Sequence, residues 1–430
     1  MKNSLPKLLK RTAFVLGIMG AVMYSEDSFA QKKKKKDQTP PPAAAPAAAR
    51  PQNGGNTNGP KPYKEVITAK AKTTSGLFKV HQIEEKYFYE IPDSLFGRDM
   101  LMVVRIAKTA NGLGYGGENT NNLMVRWEKN NDDVLLKVVS VNNYAADSLP
   151  ISLAVKASNL EPILQKFAIK SKGTDSTGTV IEATDMFTKD NQALGMERSS
   201  RTQYKVSRLD TDRSYIVHIN AYPINVESRY VLTYAAAEPP SNSATGLITL
   251  EMNASMILLP KVPMKQRLAD RRVGWFARSY VDYGADEQRA TSRRFLDRWR
   301  LEIKPGDEEK FKRGELVEPV KPIVFYIDPA TPTKWIPYLK QGVEDWQKAF
   351  EAAGFKNAII AKEAPTKEED PTWSPEDARY SVIRYFASDI QNAYGPHVSD
   401  PRSGEIIESD IGWYHNVMNL LRNWYFIQTA

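Results

Sequence analysis

The side chains that could do chemistry gather near the end of the chain. Two of the four histidines lie there, His397 and His415, close in sequence to the acidic residues Asp400, Glu405, Glu408 and Asp410. Imidazole and carboxylate groups can hold a divalent metal ion, but a zinc-binding helix needs two histidines four residues apart, and no pair has that spacing. Hydrogen-bonded or surface histidines are the favoured interpretation. We therefore assign no metal ligand and no catalytic residue.

A glycine-rich string, residues 112–117, fits the pattern G-x-G-x-x-G and follows a predicted strand. In a dinucleotide site these glycines open a helix whose amide groups meet the pyrophosphate. Here asparagines and a second predicted strand follow, so we expect a flexible loop. No G-x-S-x-G string occurs, and the Ser, Asp and His residues are too scattered to predict a catalytic triad.

The net charge of +8 belongs to the start of the chain. Residues 1–36 carry nine Lys or Arg against two acidic residues, whereas the other 394 residues carry 50 basic and 49 acidic side chains. A nearly neutral body argues against a nucleic-acid-binding protein.

The first 30 residues have the features of a Sec signal peptide. Four basic residues precede the apolar residues 12–22, and Ser-Phe-Ala at 28–30 offers a cleavage site. The apolar run is too short to span a bilayer, and no later run approaches that length. A retained N-terminal anchor is the alternative. Because the chain has no cysteine, a lipoprotein anchor and disulfides are excluded. We expect secretion to the periplasm or beyond the cell.

The elements divide the rest of the chain into four segments. Residues 31–60, rich in Lys, Pro and Ala, predict a disordered linker rather than a surface anchor. Residues 61–110 and 111–313 alternate apolar and polar side chains, as in a small N-terminal β domain and a larger β-rich domain. Strands at 123–128 and 134–141 flank the turn residues 130–133, which predicts a hairpin. The second ends in an Arg-rich connector, residues 265–313, whose interleaved acids favour a salt-bridged surface over a nucleic-acid patch.

From residue 314 the pattern changes to mixed strands and helices, so the predicted fold class is α+β. A buried-type strand at 322–327 precedes a helix at 335–350, closed by Gly354. The apolar face of this helix has spacings of three and four and consists of Trp335, Ile336, Leu339, Val343, Trp346 and Phe350. Further strands are expected at 358–361, 380–386 and 405–413, and a last helix from His415.

Three strings in the last segment resemble a known family: KPIVFYIDPATPTKWIPYLKQGVEDWQKAFEAAGFKNAIIAKEAP, DPTWSPEDARYSVIRYFAS and NAYGPHVSDPRSGEIIESDI. They resemble secreted zinc-dependent metalloproteases of Bacteroidota-type bacteria, which have a metzincin-like catalytic domain. The upstream strings RLADRRVGWF and RWRLE resemble the two N-terminal domains of unknown function in that family. The resemblance makes residues 314–430 the N-terminal part of the metallopeptidase domain.

The resemblance implies a twisted sheet with a backing helix, here residues 335–350, and an edge strand that pairs antiparallel with a peptide or protein substrate. By position this strand lies within residues 404–411. The implied substrate-binding residues are Gly404, Glu405, Ile406, Ile407, Glu408 and Ser409.

Zinc is the cofactor expected of the full-length family, held by a helix with the string H-E-x-x-H-x-x-G-x-x-H. These 430 residues do not contain that string, so no zinc ligand is assigned. We expect the N-terminal portion of a secreted metalloendopeptidase, inactive as given. Its final helix should then expose apolar residues, which are Val417, Leu420, Leu421, Trp424 and Ile427. The alternative is a non-catalytic envelope binding module or pseudoprotease.

Overall fold

The computed structural model describes residues 59–174, 177–387 and 390–429. These residues belong to one compact unit. The predicted signal peptide and nearly all of the predicted linker lie outside them. Within the described ranges, no helix has both the length and the apolar character that a membrane crossing requires.

The described residues are β-rich with short helices, in agreement with the β-rich α+β chain predicted from the sequence, while the metzincin-like nature of residues 314–430 stays a prediction. The strands are β1 (Lys72–Ser75), β2 (Lys79–Ile83), β3 (Lys86–Pro92), β4 (Asp99–Lys108), β5 (Asn119–Asn130), β6 (Asp133–Val138), β7 (Asn143–Tyr144), β8 (Ile163–Lys172), β9 (Gly178–Glu182), β10 (Val206–Ala221), β11 (Asn225–Ala236), β12 (Leu247–Leu258), β13 (Ala277–Asp282), β14 (Thr291–Leu296), β15 (Ile323–Ile327), β16 (Ile359–Glu363), β17 (Ser381–Phe386), β18 (Ala393–Tyr394), β19 (Val398–Ser399), β20 (Ile406–Glu408) and β21 (Ile411–Tyr414).

The helices are α1 (Tyr63–Val66), α2 (Ile151–Ser158), α3 (Thr184–Thr188), α4 (Arg198–Gln203), α5 (Glu308–Lys312), α6 (Ile336–Glu344), α7 (Gln347–Ala352) and α8 (Val417–Thr429). Three short 3-10 turns add Asp93–Leu95, Ser243–Thr245 and Thr333–Trp335.

Eleven strands form one antiparallel sheet in the order β1-β2-β3-β9-β8-β6-β5-β4-β12-β11-β10. The sheet curls until its two ends approach, where Leu77 N–H donates to the carbonyl of Tyr222 over 2.7 Å. Period-two alternation sends one set of side chains inside, where Trp127, Tyr89 and Tyr230 are fully buried. The sheet draws strands from both predicted N-terminal domains, 61–110 and 111–313.

The hairpin predicted around residues 130–133 is confirmed. Asn130 pairs with Asp133 across β5 and β6, which leaves a two-residue turn. Asn131 has a φ of +53°. Asparagine tolerates this left-handed conformation, which two-residue hairpin turns require.

The Arg-rich connector forms part of a second, three-stranded sheet in the order β14-β13-β7. Several of its arginines pair with acids as predicted, for example Arg278 with Asp297 at 3.0 Å and Arg300 with Glu405 at 2.6 Å. Both acids lie where the connector contacts residues 314–430. The connector therefore joins the β-rich part of the molecule, which contains the eleven-stranded sheet, to the last segment.

The last segment forms a five-stranded sheet in the order β16-β15-β17-β21-β18. Four strands run parallel, and the edge strand β18 runs antiparallel to β21. Helix α6 packs on one face through Leu339 and Val343, which contact Ile323, Phe325 and Ile383.

The prediction of one continuous helix over residues 335–350 is wrong. Trp346 N–H donates to the carbonyl of Val343 in a 3-10 type bond of 3.3 Å, and the chain restarts as α7. The restart brings Phe350 against the cluster around Val317 and Phe355. Trp346, expected on the buried face, is 63% exposed. Gly354 ends α7 with a φ of +93°, as predicted for a left-handed C-terminal residue.

Helix α8 buries Val417 and leaves most of its other apolar side chains exposed. Leu421, Trp424 and Ile427 are exposed, as expected from the sequence. Val417 was expected on the same exposed face, but it is buried at the start of the helix, and Leu420 is half-buried. The effect of this face on solubility stays a prediction.

Candidate functional site

The stretch predicted to bind substrate, residues 404–409, is hydrogen-bonded on both sides. Arg298 N–H donates to the carbonyl of Gly404 over 2.8 Å, and Ile406 N–H donates to the carbonyl of Arg298 over 2.9 Å. On its other side, β20 pairs with β19. A peptide strand needs free backbone groups, and this stretch has already used its own. The expected position of the edge strand is therefore corrected, because β20 lies outside the five-stranded sheet.

The side chains of the same stretch hold the two parts of the molecule together. Glu405 accepts two hydrogen bonds from Arg300, of 2.8 and 2.6 Å. Ile407 packs against the cluster of Leu101, Val103 and Met124 on the outer face of the large sheet. Within the last segment, the backbone N–H of Ser409 donates to Ser381 Oγ over 3.0 Å and ties the stretch to β17. These contacts are structural.

Strand β18 is one of the two edges of the five-stranded sheet, and it is the antiparallel one; the parallel strand β16 is the other. Ala393 lies opposite Trp413 and Tyr394 lies opposite Gly412, both across to β21. Within the described residues, no strand pairs with the outer side of β18. Gly412 leaves room for Phe386, since a Cβ at Gly412 would lie 3.1 Å from its ring.

The glycine-rich loop, residues 112–117, packs against this edge. The ring of Tyr115 meets Tyr394 and Tyr414 edge-on, with centroid distances of 6.4 and 6.3 Å. The Tyr414 hydroxyl donates to the carbonyl of Gly116 over 3.1 Å, and burial raises the pKa of Tyr414 to about 12. The segment is a loop followed by a strand, as predicted, so it cannot cradle a pyrophosphate at a helix N-terminus.

A cavity of about 170 Å³ lies beside these tyrosines, between the large sheet and the five-stranded sheet. Its charged lining comes from distant parts of the chain and consists of Arg105, Glu227, Arg229, Glu376, Arg384, Glu408 and Asp410. Arg105 lies 3.5 Å from Glu408, and Arg229 lies 3.2 Å from Glu376. The junction is therefore a network of buried and half-buried ions.

Burial dominates the titration of the acids in this network. It raises the pKa of Glu408 to about 8, and the nearby charge of Asp410 adds to the rise while Arg105 opposes it. Burial also raises the pKa of Asp410 to about 6, against the opposing effect of Arg384. Glu227 has its pKa raised by burial, although it accepts hydrogen bonds from Asn253, Ser255 and Asn225. Glu408 therefore keeps its proton to a higher pH than a surface glutamate does.

This network was not predicted from the sequence, although two local features point to it. Arg105 interrupts the apolar run of β4, and Glu227 interrupts that of β11. A charged residue inside an otherwise buried strand needs a partner, because an isolated charge in the interior costs several kcal/mol. The sequence could have located these two members, but not their partners.

The described residues do not fit a zinc ion. His397 bonds Asp297 through Nε2 over 2.8 Å, and His415 bonds the Tyr385 hydroxyl through Nδ1 over 2.9 Å. Asp400 forms an ion pair with Arg402, with an N–O distance of 2.7 Å. Over the described ranges, no three His, Cys, Asp or Glu side chains are placed to hold a metal ion.

Comparison with known proteins finds two family models. Residues 117–304 match the family described as "Domain of unknown function (DUF5117)", and residues 60–109 match "Domain of unknown function (DUF5118)". No curated protein and no solved structure matches the chain.

Proposed function

We propose that the chain carries the peptide-binding part of a secreted, zinc-dependent metalloprotease with a metzincin-like catalytic domain. The observation that carries the proposal is the five-stranded sheet, which α6 covers on one face and which ends in the antiparallel edge strand β18. A backing helix and an edge strand are what the sequence resemblance implies for residues 314–430.

In this proposal an extended peptide adds to the outer side of β18. Backbone hydrogen bonds would give most of the affinity, and alternate side chains would meet neighbouring pockets. Because β18 has two residues, few ladder bonds are available, so binding should be weak without further contacts. The chain would reach its place of action through the Sec pathway, as residues 1–30 predict.

Zinc chemistry is not assigned to any residue here, since the described residues do not fit the ion and the string H-E-x-x-H is absent from these 430 residues. The 430-residue polypeptide is expected not to cleave casein, with or without added zinc. Zinc-dependent cleavage by the purified polypeptide would show that this assignment is wrong.

The family part of the proposal is tested at the gene. Sequencing past codon 430 in all three frames should find H-E-x-x-H-x-x-G-x-x-H within about a hundred codons. Its absence would favour a non-catalytic secreted binding module instead.

The binding part is tested by hydrogen–deuterium exchange with and without unfolded casein. Amides at residues 391–395 should gain protection, while those at 404–409, which are already hydrogen-bonded, should not change. Protection confined to other segments would contradict a role for β18.

A further inference from the structure

A groove lies at a part of the chain distant in sequence from β18, where residues 268–275 fold back beside β14. Ala269 N–H donates to the carbonyl of Arg294, and Trp275 Nε1 donates to the carbonyl of Asp297, over 2.9 and 2.8 Å. Between the loop and the strand is a groove of about 670 Å³. The side chains that matter for its chemistry belong to Leu268, Arg271, Val273, Trp275, Arg293 and Arg294.

The groove carries uncompensated positive charge. Arg271 and Arg294 have no hydrogen bond or ion pair from their side chains within the part of the chain that the structure describes. The one acid in the lining, Asp270, accepts hydrogen bonds of 2.9 and 2.5 Å from Arg272. Arg293 is shared between Asp282 and Glu287, at 3.6 and 3.4 Å. Two guanidinium groups thus remain available to an anion.

Apolar side chains flank these arginines. Leu268, Val273 and Trp275 are each more than half exposed, as is the neighbouring Phe276. The ring of Trp275 is held in place by the hydrogen bond from its indole nitrogen. Its side chain therefore loses little conformational entropy when a ligand binds. Exposed aliphatic and aromatic side chains next to free arginines are typical of an interaction site.

We propose that this groove binds an extended acidic peptide in which carboxylate and aliphatic side chains alternate. Each guanidinium can take a carboxylate in a two-bond geometry, and the aliphatic side chains would cover Val273 and Trp275. Neutral sugars are a poorer fit, because their hydroxyl groups need acceptors and Asp270 is already bonded to Arg272. A flat membrane surface would not fill a concave groove. The lysine-rich start of this chain has the wrong charge.

The test is binding of a fluorescein-labelled Glu-Val repeat of eight residues, measured by fluorescence anisotropy on the full chain. The double variant Arg271→Gln/Arg294→Gln should weaken binding about tenfold or more, since both charge-assisted contacts are lost. The matched control is Arg289→Gln, an exposed arginine that does not line the groove, and it should stay within about twofold. A Gln-Val repeat should bind as weakly as the double variant binds the acidic peptide.

Circular dichroism melts should coincide for all variants, because the substituted arginines are at the surface. Equal affinity of the double variant and the unmodified chain would overturn the proposal. So would binding of polygalacturonate or of phosphatidylglycerol vesicles by a protein that does not bind the Glu-Val peptide. Binding of the Glu-Val peptide in this groove does not depend on β18. The proposal for the groove and the proposed function can therefore fail separately.

Discussion

Gly404 has a φ of +73°, and a Cβ at this position would lie 2.2 Å from the carbonyl oxygen of Leu296. Alanine would therefore meet both backbone strain and a clash with main chain that cannot move aside. We expect Gly404→Ala to lower the free energy of unfolding by about 2–4 kcal/mol, measured by urea denaturation.

Gly314 provides the control for that substitution. It has a φ of +81°, but a Cβ there would meet nothing within 4 Å. Gly314→Ala should cost only the conformational strain, about 1 kcal/mol. If both variants lose the same stability, the close approach to Leu296 has no energetic effect.

Glu408 should make stability depend on pH. Its pKa is raised from 4.5 to about 8 in the folded protein, so the folded state prefers the protonated form. Stability contributed by this group is present at acidic pH and is lost as the pH rises from about 4.5 through 8. The melting temperature should therefore fall between pH 6 and pH 9.

Glutamine mimics the protonated acid and does not titrate. In Glu408→Gln the decrease in melting temperature between pH 6 and pH 9 should become smaller, because one coupled group is removed from the network. Glu302→Gln is the surface control, since the Glu302 side chain is 57% exposed. An unchanged profile in Glu408→Gln would mean that another group controls the pH dependence.

Helix α6 is held by its buried positions. Leu339 contacts the sheet strands at Ile323 and Phe325, whereas Tyr338, one residue earlier, is 68% exposed. Leu339→Ala should cost about 2–5 kcal/mol, since it leaves a cavity beneath the helix. Tyr338→Ala should stay within about 0.5 kcal/mol. Thermal and urea unfolding of both variants measure the difference, and similar losses would show that α6 does not pack as described.

Elements with a strong local pattern could be predicted from the sequence. The apolar runs of β4 and β11, the alternation in β5, the turn at Asn131 and the C-terminal residue Gly354 each depend on near neighbours. The sheet that residues 404–411 join could not be predicted from the sequence. Their partners are Arg298 and Val398–Ser399, and no periodicity shows which strand joins which sheet. Trp346 was misplaced because helical spacing alone does not show where a helix restarts.

Arg402 connects the two parts of the molecule. It donates to Asp400 at 2.7 Å, to Asp99 at the start of β4 at 3.0 Å, and to the carbonyl of Pro260 at 2.7 Å. Asp400 is fully buried. Arg402→Gln would leave that carboxylate without its charge partner, so we expect a loss of about 3–5 kcal/mol.

Calorimetry on the full chain measures this loss, and hydrogen exchange should show faster opening of both β4 and β19. Arg272→Gln serves as the control because its pair with Asp270 is at the surface and should be worth less than about 1 kcal/mol. Equal melting temperatures for the two variants would refute a bridging role for Arg402.

The candidate site was less predictable than the fold. Arg105, Glu227 and Glu408 are separated by more than a hundred residues each in sequence, yet they line one cavity. Only the packing of the five-stranded sheet on the large sheet brings them together. Sequence patterns report on local elements and not on such long-range contacts.

The large sheet also determines where the chain can be divided. The gap between the two matched families falls at residues 110–116, inside the connection between β4 and β5, which pair with each other. A polypeptide cut there would leave β3 and β4 without β9, β5 and β12, and the open edges would favour aggregation. The two matched stretches should therefore be expressed, exchanged between proteins and selected as a single inherited unit, whatever their separate names suggest.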